Sequence, residues 1–386
     1  MTLPPRQAAP DVVEYFAACT LGLEGVLANE LEGLGVDGIE SGRGGVRFEG
    51  DRTAGYRVAL WSRTAVRLQE TIGQATIDRE DDLYDWVASF GWDDLMRVDQ
   101  TLAVDASIRD SVFRHSKYAA LRVKDAIVDQ FRERARRRPS VDTKRPDLQL
   151  KLHLQRDQAT LYRDLVGGSL HKRGYRPIQV KSPLNESIAA GLVLLSEWDR
   201  RSPLCDPMCG SATIAIEAAW IAADRAPGLK QRFAFERWPD FDAKAWRGLI
   251  EDAFKRMSMD SVPRIDVADR HPGAIAIAKE SIKLAGLRDR IRVHHTALAD
   301  FHLEAPPAVV LCNPPWGERL DPEDLEASWR DLGDFLRREC PLSIAWILSG
   351  NPAIGHALRL KADRKIPVHN GPIECRVLRY EIGERR

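Results

Sequence analysis

Two short stretches of this 386-residue chain carry residue types that could do chemistry, and each follows directly on an apolar run. One is Asp206-Pro207-Met208-Cys209-Gly210, after "PLC"; the other is Asn313-Pro314-Pro315-Trp316, after "AVVLC". Proline lacks an N–H, fixes φ and forces the preceding residue into extended backbone, so the second run cannot continue as a strand. A stiff loop results, displaying an amide side chain, carbonyl oxygens without competing donors and an aromatic face. Such a loop suits the exocyclic amine of a nucleobase, a poor nucleophile because its lone pair is delocalised into the ring. Hydrogen bonds from the amine to the Asn313 side-chain oxygen and the Pro314 carbonyl would favour a more pyramidal nitrogen able to attack a methyl group. Trp316 would hold the base, which must leave its own stack to arrive there. The plainer alternative is a turn with a half-buried tryptophan.

Ile214, Ala218, Ile221 and Ala222 recur at helical spacing, so a helix is expected over 211–223, directly after the Asp206 turn. In parallel α/β sheets ligands lie beyond the carboxyl ends of strands. A nicotinamide dinucleotide would need G-x-G-x-x-G and an acid at the end of the next strand. The turn offers only Gly210, and Asp224 ends a helix. An acidic turn better fits a cofactor with a cationic, amino-acid-like end and no phosphate, the shape of S-adenosyl-L-methionine. Asp269, at the end of "RIDVAD", is placed either to accept ribose hydroxyls or to cap the helix starting near Pro272.

Those two turns need a scaffold. From residue 182 onward, short apolar runs at 203–205, 265–268, 291–293, 308–312 and 342–348 alternate with helical stretches, the pattern of a mostly parallel sheet covered on both faces. The first half reads differently. Strands are expected over 12–20, 44–50 and 101–110, a helix over 23–35, and a hairpin of 148–155 with 158–165 turning at Arg156 and Asp157. From Ser116 a helix carries Ala119, Val123, Ile127 and Phe131 on one face and Lys117, Arg122 and Lys124 elsewhere, running into Arg136 and Arg137. "GGSLHKRGYRP" (167–177), with Lys172 and Arg173, reads as the linker between the two halves.

Formal net charge is zero, but Ser116 to Arg176 holds 16 Lys or Arg against 7 Asp or Glu, a local +9. That stretch suggests a polyanionic partner or a solvated helix face. The six cysteines show no CxxC spacing and no flanking cluster of further ligands, so buried thiols in a reducing cytoplasm are expected, with no metal. No long apolar stretch or signal-like N-terminus is present, and a soluble cytoplasmic protein with no membrane partner is expected.

With these residues in view, "DPMCGSAT" and "NPPWGERL" resemble the cofactor turn and catalytic loop of class I S-adenosylmethionine-dependent amino methyltransferases. More narrowly, "LHKRGYR" (170–176), "PLNESIAAGL" (183–192), "FAFERWPDFD" (233–242) and "HNGPIECRVLRYEI" (369–382) resemble the THUMP-domain guanine-N2 methyltransferases of large-subunit (23S) ribosomal RNA. The resemblance implies an α/β fold: a ferredoxin-like part over 1–69, a THUMP RNA-binding part over 70–165, a linker over 166–182, and a Rossmann-like methyltransferase domain over 183–386 whose last strand is antiparallel. It implies that Asp206, Pro207, Met208, Gly210 and Asn185 line the cofactor, that Asp269 takes its ribose, and that an acid after the third strand holds its adenine, for which Asp300 is the candidate. It further implies structured RNA as the partner, and the basic stretch read from its charge offers Lys117, Arg122, Lys124, Arg136, Arg137, Lys172 and Arg173 to bind it. Three departures stand out: Ala212 where relatives carry Gly, Trp316 where most carry Tyr or Phe, and no clean match to the adenine acid in "VHHTALADF". The aromatic segment 229–246 is expected either to touch RNA or to pack on a sheet. Alternatives to guanine-N2 in ribosomal RNA are guanine-N2 in transfer RNA, adenine-N6 chemistry on the same loop, and a catalytically silent RNA-binding factor.

Overall fold

The computed structural model describes residues 12–177, 184–317 and 321–384. Part of the expected linker (178–182), Pro183 and the end of "NPPWGERL" (318–320) lie outside the described residues.

One eight-stranded sheet makes up the N-terminal half. Its strands are β1 (Val13–Cys19), β2 (Asp37–Gly42), β3 (Gly45–Gly50), β4 (Ala65–Thr76), β5 (Thr101–Arg109), β6 (Ser140–Val141), β7 (Leu148–Gln155) and β8 (Gln158–Asp164), in the spatial order β2-β3-β1-β4-β8-β7-β5-β6. Helices α1 (Glu24–Gly33), α2 (Arg52–Trp61), α3 (Glu80–Ala88), α4 (Trp92–Leu95) and α5 (Ser116–Ala135) complete this half. Period-two burial in β7 places Leu148, Leu150, Leu152 and Leu154 in the core, where they meet Ala119, Val123, Ile127 and Phe131 of α5. The expected β7–β8 hairpin forms, with Gln155 opposite Gln158 and Arg156 at φ 57°. The expected division between residues 69 and 70 falls inside β4, which pairs with β1 on one side and β8 on the other. One strand is therefore shared by the two N-terminal parts. Edge strand β2 has almost no buried residue, and so no alternation by which its sequence could be read.

The C-terminal half is a seven-stranded sheet of β9 (Leu204–Asp206), β10 (Ile265–Asp269), β11 (Ile291–His295), β12 (Val309–Cys312), β13 (Ile344–Ser349), β14 (Arg364–Asn370) and β15 (Ile373–Glu381). Its order is β11-β10-β9-β12-β13-β15-β14. The first five are parallel, and β15, last in the chain, runs antiparallel to β13. Alternate residues feed two cores: Leu204, Val267 and Leu311 face α6 (Glu186–Leu195), α7 (Thr213–Ala222) and α9 (Pro272–Leu284), while Cys205, Ala268 and Val310 face α10 (Pro322–Glu339). Burial of both faces explains why these strands read as continuous apolar runs. Helix α8 (Ala243–Arg256) lies in the insertion between α7 and β10. All six cysteines are buried and free. No described helix is long and apolar enough to cross a membrane.

Two polar and aromatic joints tie the halves together. Arg173 is 1% exposed and pairs with Glu217 of α7, which also accepts from the Tyr175 hydroxyl at 2.8 Å, while Arg63 donates to the Arg225 carbonyl at 2.9 Å. The aromatic insertion packs into the core of the N-terminal sheet. Phe235 stacks on Tyr56 with centroids 4.3 Å apart, the Arg163 guanidinium lies 4.2 Å from the Trp238 ring, and the Trp238 indole N–H donates to the Asp147 carbonyl at 3.1 Å. Of the two roles expected for this segment, packing on a sheet is the one observed, and the sheet is that of the other half of the molecule.

Candidate active site

β9 and β12 are hydrogen-bonded neighbours, with Leu204 opposite Val309 and Cys205 opposite Val310. Parallel pairing brings both carboxyl ends to one edge, so the Asp206 turn and the Asn313 loop emerge side by side. β10 flanks β9 on its other side, which delivers Asp269 to the same edge.

The turn after β9 is organised by its neighbours. The Cys209 N–H donates to the Ala268 carbonyl at 2.9 Å, and the Gly210 N–H donates to Asp269 Oδ2 at 3.0 Å. Asp269 Oδ1 accepts from the His271 N–H at 2.9 Å. One carboxylate thus lashes two strand-end turns together, ahead of α9 rather than as its cap residue. Gly210 and Ala212 both take positive φ, 53° and 61°. For Ala212 that left-handed backbone is costly, because its Cβ crowds the carbonyl. The Asp206 carboxyl is buried and, among the described residues, accepts only a long bond of 3.4 Å from the Met208 N–H. Burial pushes it up to about 8; the Met208 amide opposes that rise and the nearby Asp269 charge adds to it. Among the described residues no cation lies within ion-pair distance of Asp206, so its charged form lacks a partner.

Asn313 and Trp316 are half-buried, and the Trp316 indole N–H donates to Asn313 Oδ1 at 2.9 Å. The Pro315 carbonyl accepts from the Trp329 indole of α10 at 2.7 Å. The loop's acceptors are therefore not all free of competing donors, as its sequence suggests: Pro315 is used structurally, and one lone pair of Asn313 is taken by the tryptophan three residues on. Gly350, just past β13, lies against the same indole; a methyl built there would overlap its Cε3 and Cζ3. Neither Trp329 nor Gly350 stands out in the sequence, although "SGNP" after the β13 run marks a turn at the same sheet edge.

Other expected site residues are dispersed. The Asn185 side-chain oxygen caps α6, accepting from the Ser187 N–H at 2.8 Å. Asp300 is exposed in the loop after β11. Lys117, Arg136, Arg137 and Lys172 are exposed, but Lys117 and Arg136 stand at opposite ends of the 20-residue α5, about 30 Å apart. Arg122 reaches Asp81 at 3.0 Å and lies over the Tyr84 ring, and Lys124 pairs with Asp125 at 2.7 Å. Arg173 does not belong to an RNA-facing set. It is enclosed between the halves on Glu217, and a buried guanidinium cannot reach phosphate.

Three family models match in succession: the RlmL ferredoxin-like domain over residues 14–69, the THUMP domain over 78–164, and the RMKL-like methyltransferase domain over 173–379. The ribosomal RNA large subunit methyltransferase K/L of Syntrophotalea carbinolica is 41% identical over 97% of this chain, and that of Methylococcus capsulatus 40% over 98%. The chain spans about half the length of these curated relatives, 54% and 52%. A Synechocystis sp. protein provisionally named an RNA methyltransferase is 35% identical over 95% of this chain and 96% of its own length. Among solved structures, SMU.472 in complex with SAH superposes with a TM-score of 0.88 at 28% identity, over 98% of this chain and 100% of that one. A Listeria monocytogenes protein described as a predicted N6-adenine-specific DNA methylase gives 0.88 at 31%, over 96% of both. Matched over more than half its length, and in the order its two sheets show, the chain belongs to the RMKL-like methyltransferase-domain family, with RlmL ferredoxin-like and THUMP domains ahead of that domain.

Proposed function

We propose that this protein is an S-adenosylmethionine-dependent RNA methyltransferase acting on the exocyclic N2 of a guanine in large-subunit ribosomal RNA. The observation that carries this reading is the pairing of β9 with β12, which sets a buried carboxyl, without a cation beside it among the described residues, next to an Asn-Pro-Pro-Trp loop. The residues fit such a cofactor. Asp206 would take its ammonium, Asp269 its ribose, Pro207, Met208 and Gly210 would line its methionine end, and Asp300 would hold its adenine. When bound, the sulfonium supplies an activated methyl group, so no strong general base is required. The remaining chemistry belongs to the loop: Asn313 Oδ1 through its second lone pair, and the Pro314 carbonyl, accept the guanine N2 hydrogens, while Trp316 bears on the base. The divisions at 69, 165 and 182 are proposed as functional ones, with RNA docked by the N-terminal half through Lys117, Arg136, Arg137 and Lys172. The names of the relatives support the ribosomal substrate. Similarity to a protein described as an adenine-specific methylase favours adenine-N6 as the second reading.

Labelled S-adenosylmethionine incubated with unmodified large-subunit ribosomal RNA, with transfer RNA alongside, should yield N2-methylguanosine in the ribosomal RNA on nucleoside chromatography. Asn313→Ala should lower the rate by about 100-fold or more, the cost of deleting one preorganised polar contact to a transition state. N6-methyladenosine, or label confined to transfer RNA, would overturn the proposal.

A further inference from the structure

The Asn313 side chain has two nearly isosteric ends, and only one can serve an amine. Its oxygen accepts; its NH2 group donates, and facing a target amine it would repel the hydrogens it needs to bind. Nothing in the Asn-Pro-Pro backbone decides between the two orientations, which differ by a half-turn of the terminal amide. The neighbouring indole does. Trp316 Nε1 is a donor only, and it lies 2.9 Å from Asn313 Oδ1. Flipping the amide would set donor against donor and leave a half-buried N–H without a partner. A carboxamide oxygen has two lone pairs, so the bond orients the acceptor without exhausting it.

The indole is in turn held from two sides. Trp329 of α10 fixes the Pro315 carbonyl at 2.7 Å, and Trp316 packs at the edge of both cores of the C-terminal half. On the β13 side, Gly350 leaves room that a single methyl group would remove. Three residues from two strand ends thus form one unit: Gly350 seats the indole, the indole N–H turns the amide, and the amide presents its oxygen.

We propose that Trp316, through its indole N–H, is the positioning residue for Asn313, and that Gly350 makes this position attainable. The inference rests on the proposed role of Asn313 as acceptor of the target amine. It predicts a loss confined to the chemical step. In single-turnover methyl transfer at saturating RNA, Trp316→Phe, which keeps a ring and loses the N–H, should slow the rate constant about five- to tenfold, the effect of one ordinary hydrogen bond. Half-saturation for RNA and cofactor should stay within about twofold. In an Asn313→Asp background, where the carboxylate offers an oxygen either way round, the same Trp316→Phe change should cost no more than about twofold. Gly350→Ala should reproduce the Trp316→Phe loss alone and add little to it in combination, since both act through the same bond. A parental rate for Trp316→Phe, or an equal loss in both Asn313 and Asn313→Asp backgrounds, would overturn the proposal. Should the unmodified protein methylate no RNA, the functional reading has failed, yet the orienting bond is still tested: the Trp316 indole N–H resonance, assigned by its absence in Trp316→Phe, must shift in Asn313→Ala, and an unmoved resonance rejects the inference.

Discussion

Asp206 is the side chain at which the proposed ligand role carries a cost that can be measured in the free protein. Its carboxyl is buried at the end of β9 without a cation among the described residues, and burial, the largest cause, raises it from the ordinary 3.8 to about 8. Between those two pH values the folded protein keeps a proton that the unfolded chain has released, so stability falls as pH rises. The contribution is fully present below about pH 4 and lost by about pH 8. Compared with Asp206→Asn, the ligand-free protein should lose up to about 4 kcal/mol between pH 5 and pH 8, read from urea unfolding at those two pH values. Parallel slopes for the two proteins would show that Asp206 is already ionised. A cationic ligand should expel the same proton, so calorimetry of S-adenosylmethionine binding near pH 7 in buffers of different ionisation enthalpy should report proton release that Asp206→Asn abolishes.

Elements are coupled by side chains whose charge suggests another duty. The segment 170–176 is basic, yet its two adjacent cations part ways: Lys172 is exposed, while Arg173 is buried against Glu217 in the middle of α7. Because α7 follows the Asp206–Gly210 turn, this pair holds the helix behind the candidate site to the chain leaving the N-terminal sheet. Arg173→Ala would strand a buried carboxylate, and breaking such a pair costs about 3–5 kcal/mol. Lys172→Ala should change stability by less than about 0.5 kcal/mol. Chemical denaturation of the two variants checks the contrast. The insertion 229–246 works in the same manner, sending Phe233, Phe235 and Trp238 from the C-terminal half into the core of the other sheet.

At the scale of the whole molecule, a chain of zero formal charge concentrates positive charge locally, in the Ser116–Arg176 stretch of the half that carries no candidate chemistry. If that half docks RNA, affinity must fall with salt, because each neutralised phosphate releases condensed counterions. Replacing Lys117, Arg136 or Arg137 by alanine should weaken binding uniformly across RNA sequences and reduce the slope of log affinity against log salt by about one for each phosphate no longer neutralised. Arg122→Ala should reduce the slope less, since its guanidinium is already engaged by Asp81 and Tyr84. Filter binding or fluorescence anisotropy over a salt series measures both, and a flat salt response would exclude the basic helix as the docking surface.

Much of this architecture is written locally and is legible in the chain alone. Buried parallel strands declare themselves as apolar runs, α5 and β7 by their periods, and the loop after β12 by prolines that forbid a strand. The kinds of residue at the candidate site follow as well, because Asp206, Asp269 and Asn313 each end an apolar run, and chain-local rules place strand ends at a common edge. Tertiary structure alone decided what those residues touch. That β4 pairs with β1 on one side and β8 on the other, that Arg173 is enclosed on Glu217, and that the aromatic insertion crosses to the other sheet are all contacts between residues distant in sequence, and the bond from the Trp316 indole to Asn313 depends on an indole seated by Gly350 from another strand end. A hydrogen-bond donor in a sequence has a choice of acceptors; packing removes all but one.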